Sequence, residues 1–141
     1  MDEQAIVRVE RCFATLVPRG AELVDRFFTT IFVRDPGLRQ LFPAVMRAQN
    51  KKFLATLVLV VKNLRHPEAL REAFLAMGRR HAVYGATEER YEYFRNTLLE
   101  VIGDMAGGAW NEQLDHDWRG AIECVASAMI AGQRQTPLSV A

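Results

Sequence analysis

Three histidines and an adjacent pair of amides, Gln49 and Asn50, have the most scope for chemistry in this 141-residue chain. His66 precedes Pro67 in a connection, and His116 lies between Asp115 and Asp117 on the polar side of a helix, so both read as solvated. His81 differs. It takes the fourth place of a 70, 74, 77, 81 stripe whose other members, Leu70, Phe74 and Met77, are apolar, and the spacing predicts an inward imidazole. Such a residue is either a core histidine bonded to a carbonyl or a metal ligand. Zinc is a poor match: structural zinc takes four protein ligands and catalytic zinc about three, and no second Cys or His stands at ligand spacing. One imidazole does suffice for an iron already held by four porphyrin nitrogens.

Gln49 and Asn50 form a polar notch in an otherwise apolar helix face. Buried amides are costly unless paired. The pair either satisfies backbone at the start of that helix or holds a donor over a cavity opposite His81. Phe28, Phe42 and Phe53 are available as walls, although aromatic stripes are ordinarily just core. Cys12 and Cys124 lack metal-binding spacing and read as reduced core thiols.

The elements that must position these residues are helical nearly throughout. A first helix presents Ile6, Val9, Phe13 and Leu16 and stops at Pro18. A second buries Leu23, Val24, Phe27, Phe28, Ile31 and Phe32. Asp35 is placed to cap a short third helix with Pro36 in its first position, which turns Leu38, Leu41 and Phe42 inward before Pro43. A long helix from residue 44 or 47 to 64 directs Met46, Gln49, Asn50, Phe53, Leu54, Leu57, Val60 and Val61 inward. The helix bearing His81 follows and ends at Gly85. Thr87 caps a helix that buries Tyr91, Phe94, Leu98, Val101, Ile102 and Met105. After a loop at 106–109, a last helix carries Leu114, Trp118, Ile122, Val125 and Met129. Residues 1–132 read as one domain and 133–141 as a frayed tail.

Composition narrows the function classes. Half the residues are apolar and a quarter charged, which suits one folded domain. The net charge of +1 implies no basic face and hence no nucleic-acid partner. The longest apolar stretch, residues 53–61, falls well short of the roughly 20 needed to cross a bilayer. The N-terminus lacks the pattern of a signal peptide, so a cytoplasmic, membrane-free protein is expected.

Leu41-Phe42 after the Pro36 turn, then Gly78-Arg79-Arg80-His81 followed by Tyr84-Gly85 and Tyr91, resembles a globin. The similarity runs from about residue 5 to 132. It is strongest to bacterial single-domain globins and to the globin portion of flavohaemoglobins.

The resemblance implies a globin fold of seven to eight helices, packed in pairs at about 50° around a haem b cleft. His81 matches the proximal iron ligand. Phe42 matches the ring that packs flat on the porphyrin, Gln49 the distal residue, and Phe53 a bulky residue over the iron. The stretch between Phe42 and Gln49 is about three residues shorter than in flavohaemoglobins, and a one-residue slip would give Asn50 the distal role. Met77 and Phe94 join the cofactor contacts, Lys52 and Arg80 match outer residues reaching a haem propionate, and Met46 or Lys52 is a candidate sixth ligand. Tyr91 matches a tyrosine that, in flavohaemoglobins, works with a glutamate from the last helix near the proximal histidine. Here that region reads Gln133-Arg134-Gln135, so oxygen activation should be weaker. Phe28 aligns with a tyrosine whose hydroxyl clamps the oxygen ligand in many bacterial globins. Losing that donor costs about 1.5–3 kcal/mol, or roughly ten- to hundredfold faster oxygen release.

The first expectation is therefore reversible binding of a diatomic gas, for oxygen storage, delivery or sensing. An enzymatic alternative is nitric oxide dioxygenation with a separate reductase, since no glycine-rich phosphate loop is present. A gas-sensing domain of a larger signalling protein is a third reading. A haem-free scaffold is the bland one.

Overall fold

Asp2 Oδ1 accepts the Ala5 amide at 2.7 Å and so opens α1 (Glu3–Leu16). Pro18 lies in a 3-10 turn at Val17–Arg19, and α2 (Gly20–Arg34) follows directly. The computed structural model describes residues 1–83 and 86–135, with Val83 given by its backbone only. A 3-10 turn at Pro36–Leu41 leads to α3 (Arg47–Lys62), and another at Pro67–Leu70 leads to α4 (Arg71–Val83). Thr87 Oγ1 accepts the Arg90 amide to start α5 (Glu88–Ala106), and Asn111 Oδ1 accepts the Leu114 amide to start α6 (Glu112–Arg134). The described residues are thus all-α, with six α-helices and four 3-10 turns. The expected count of seven to eight falls to six because the short third helix and the lead-in to α4 are 3-10.

Helix α6 is the spine: α1, α4 and α5 pack on it, while α2 packs between α3 and α5. Trp118 of α6 and Phe27 of α2 are the largest fully buried side chains. Burying a side chain of this size contributes at least about 1.5–3 kcal/mol. The Phe13 ring meets Trp118 edge-on at 6.0 Å, joining α1 to α6.

Several expectations need correction. Leu41 is 51 % exposed: the 3-10 turn buries Leu38, as expected, but leaves Leu41 at its outer end. Phe32 is only half-buried. The Asp35 side chain makes no cap bond; its amide instead closes α2 on the Ile31 carbonyl at 2.9 Å. Cys124 is exposed, on the outer side of α6, whereas Cys12 is buried and its thiol pKa is pushed up by burial. Residues 133 and 134, read as tail, continue α6. Tyr84, Gly85 and residues 136–141 lie outside the described residues.

Asp117, taken with the polar side of the last helix, is 2 % exposed. Arg8 of α1 grips it through Nε at 2.5 Å and Nη2 at 3.2 Å, and Gln113 donates at 2.9 Å. The neighbouring guanidinium holds this carboxyl below the usual range.

Candidate functional site

The buried face of α4 is Phe74, Leu75 and Gly78, not the full 70, 74, 77, 81 stripe. The reason lies at Gly78 and Gly132. A Cβ on Gly78 would collide with the Met129 carbonyl, and one on Gly132 with the Leu75 carbonyl. The two backbones therefore touch, and the helix turns its 74/75/78 side toward α6. Met77 is left half-buried at the margin and His81 exposed. The inward imidazole expected from spacing is thus displaced to the edge of the helix, outside the packed core.

His81 Nδ1 lies 2.7 Å from the Met77 carbonyl oxygen. A carbonyl can only accept, so Nδ1 carries the proton and Nε2 keeps its lone pair. Nε2 has no partner among the described residues. One ring nitrogen is thus bonded to a carbonyl, and the other has no partner among the described residues.

Helix α3 packs on α2 and makes at most marginal contact with α4. Three expected wall residues come together on the α2–α3 side. The Phe28 ring lies 5.4 Å from Phe42 and 5.3 Å from Phe53, both edge-on, and Phe53 stacks on Phe27 at 4.8 Å. Phe94 of α5 meets Phe27 edge-on at 6.1 Å. Phe28 is 4 % exposed, whereas Phe42, Phe53, Met46, Met77 and Phe94 are half-buried against the hydrophobic core as a whole. That pattern fits the margin of an apolar cleft.

Gln49 is half-buried near the start of α3. Its neighbour Asn50 has a buried Oδ1 with no hydrogen-bond partner among the described residues. Tyr91 likewise has a buried hydroxyl without a partner among them, and burial pushes its pKa up to about 12. Orphaned buried polar atoms are uncommon in native folds, and an added group or water beside them is one way to satisfy them; Trp118 Nε1 and Gln133 Oε1 are in the same state. Lys52 and Arg80 are exposed, on α3 and α4 respectively.

Sequence reasoning missed the strap behind His81. The Ala86 amide donates to the His81 carbonyl at 3.1 Å, and Gln133 Nε2 of α6 donates to the Ala86 carbonyl at 2.5 Å. In the sequence Gln133 stands only where a glutamate is missing. Its signal was the one-turn spacing from Met129, which keeps it on the packed side of α6.

The family model that describes globins matches residues 25–129. Curated relatives include a flavohemoprotein of Vibrio cholerae, 20 % identical over 92 % of this chain and 34 % of its own length. A flavohemoprotein of Bordetella pertussis is 25 % identical over 84 % of the chain and 30 % of its length. The chain thus spans about a third of these relatives. A leghemoglobin of Psophocarpus tetragonolobus is 25 % identical over 73 % of the chain and 77 % of its own length. Among solved structures, a bacterial globin from Campylobacter jejuni superposes with a TM-score of 0.82 at 20 % identity, covering 95 % of this chain and 97 % of that one. An engineered carbene transferase from Rhodothermus marinus gives 0.83 at 22 %, covering 96 % and 94 %. The fold is shared with both of these solved structures.

Proposed function

Because the chain belongs to the globin family, we propose that it binds haem b through His81 and reversibly holds a diatomic gas, for oxygen storage, delivery or sensing. The observation that carries this reading is the Nδ1–Met77 carbonyl bond at 2.7 Å. It fixes the imidazole tautomer and ring rotation and leaves Nε2 free to ligate.

The residues present fit the cofactor. Haem supplies an iron with an open coordination position for the gas. Phe28, Phe42 and Phe53 would supply an apolar wall that excludes water, and Met77, Tyr91 and Phe94, half-buried against the core, would add apolar contacts to the porphyrin. Gln49 is the one candidate distal donor, because Phe28 stands where a hydroxyl would otherwise be offered. Asn50 lies one residue further along, its Oδ1 already buried. Lys52 and Arg80 are exposed cations, free to meet the two carboxylates of the porphyrin. The partner of the His81 imidazole is a neutral carbonyl, not a carboxylate. A neutral partner pushes less electron density toward iron, which favours holding a ligand over activating it.

The test is an absorption spectrum of the purified protein, oxidised, reduced and reduced with carbon monoxide. A Soret band that sharpens and shifts with carbon monoxide supports the proposal. A colourless protein that does not take up added haem refutes it.

A further inference from the structure

Helix α3 begins where its own sequence gives little reason to begin. Met46, at its N-cap, makes no side-chain cap bond, and the first turn holds no acid. Arg47 lies in that turn with Lys51 and Lys52 just behind it, against the positive end of the helix dipole. Residues 43–45, which lead into the helix, are all exposed, Val45 by 73 %. Yet the two amides weighed above as distal groups, Gln49 and Asn50, stand at the third and fourth helical positions.

What holds this start is Arg39. Its backbone carbonyl accepts the Phe42 amide at 3.2 Å, closing the 3-10 turn. Its side chain then runs forward along the chain. Nη1 donates to the carbonyls of Phe42 at 3.3 Å and Pro43 at 2.8 Å, and Nη2 donates to the Ala44 carbonyl at 2.8 Å. One guanidinium thus gathers three successive carbonyls, a task that suits its rigid fork of donors better than the single point of an ammonium. The same group lies over the Phe32 ring, 5.2 Å from its centroid. Phe32 meets Phe42 at 5.2 Å, and Phe42 meets Phe28 at 5.4 Å. Contacts therefore run unbroken from α2 through Arg39 to the carbonyls just before α3.

We infer that Arg39 is a positioning residue of the gas site: by gripping the carbonyls of residues 42–44 it fixes the first turn of α3, and with it the amide donor that sets how long a gas ligand stays. This role deepens the haem reading and rests on it. A helix with no cap and with cations at its N-terminus frays at that end. A donor on a fraying turn spends part of its time outside hydrogen-bond range, and the ligand escapes in those intervals. Arg39 acts through the amides, not on the gas.

The experiment is a mutant cycle on the haem-loaded protein, read by stopped-flow oxygen dissociation and by the C–O stretching band of the carbon monoxide complex. Arg39→Leu should release oxygen about three- to tenfold faster and move the band toward that of a site without a donor. In a Gln49→Leu/Asn50→Leu background, which has neither amide, the same substitution should change neither readout. Arg39→Lys keeps the charge but not the fork. It should show a smaller acceleration with the same dependence on the amides, and it carries the test if the leucine variant does not fold. Arg19→Leu, which breaks only an exposed pair with Glu22, should match the wild type. Wild-type rates in both Arg39 variants overturn the inference. So does an equal acceleration in the background without the amides, or in Arg19→Leu, since either would trace the effect to general stability. A missing Soret band in the wild type is a different failure: it removes the haem reading itself.

Discussion

Gly78 of α4 lies against the carbonyl of Met129 on α6 so closely that no side chain fits between them. Gly132 makes the reciprocal approach to the Leu75 carbonyl. Helix α4 therefore rests on α6 backbone to backbone, three residues before His81. The position of the imidazole is set by this crossing as much as by its own helix.

Alanine at either glycine tests that dependence. In an open helix, Gly→Ala gains about 1 kcal/mol from propensity. Here the new Cβ meets backbone that cannot swing aside, so overpacking of about 1–3 kcal/mol should win. Gly78→Ala and Gly132→Ala should lower Tm and weaken haem retention together. Gly120→Ala, whose Cβ would meet Met1 Cγ at an ordinary 3.5 Å, should be neutral or stabilising. Thermal melts of the three variants decide the matter.

The Phe28 ring is enclosed by Phe27, Phe32, Phe42 and Phe53. Phe28→Tyr should slow oxygen dissociation roughly ten- to hundredfold by adding a donor worth about 1.5–3 kcal/mol. It should also destabilise the cofactor-free protein, because the hydroxyl enters an apolar cluster. Gln49→Leu should act in the opposite kinetic direction, with faster oxygen loss by about five- to thirtyfold. Flash photolysis and stopped-flow displacement measure both; unchanged rates in Gln49→Leu would transfer the role to Asn50.

Asp117 controls the acid limb. Its folded pKa is depressed beside Arg8, so its contribution is present above the unfolded value of about 3.9 and disappears as pH falls through the folded value. Wild-type Tm should drop steeply below about pH 4. Asp117→Asn should have a lower Tm at neutral pH and a flatter acid limb.

Tyr91 governs the alkaline side. Its pKa is raised to about 12 by burial, against the usual value of about 10. The neutral phenol is favoured in the fold, so this contribution is complete below about pH 10 and is lost as pH climbs through the folded value. Ultraviolet titration should show a late-titrating tyrosine that is absent from Tyr91→Phe.

Much of this was legible because helical periodicity is a local property. The inward stripes of α1, α2 and α5, and the Thr87 cap, follow from spacing and residue type. His81 was singled out by its apolar neighbours, and the triplet Phe28, Phe42 and Phe53 by its aromatic character. What escaped was tertiary. Leu75 and Gly78, not Met77, face α6, because two glycines permit a backbone contact that no single-helix pattern reveals. Asp117 looked like surface until Arg8, 109 residues away, provided its partner. The Asp35 cap failed because the chain tightened into a 3-10 turn in place of an α-helix.

His81→Gly, purified alongside the wild type and examined in its Soret region with and without added imidazole, is the most direct test. The account predicts loss of the five-coordinate spectrum and its return when imidazole fills the vacated ligand position. An intact wild-type spectrum in the glycine variant without imidazole would contradict the assignment of His81 as the iron's ligand.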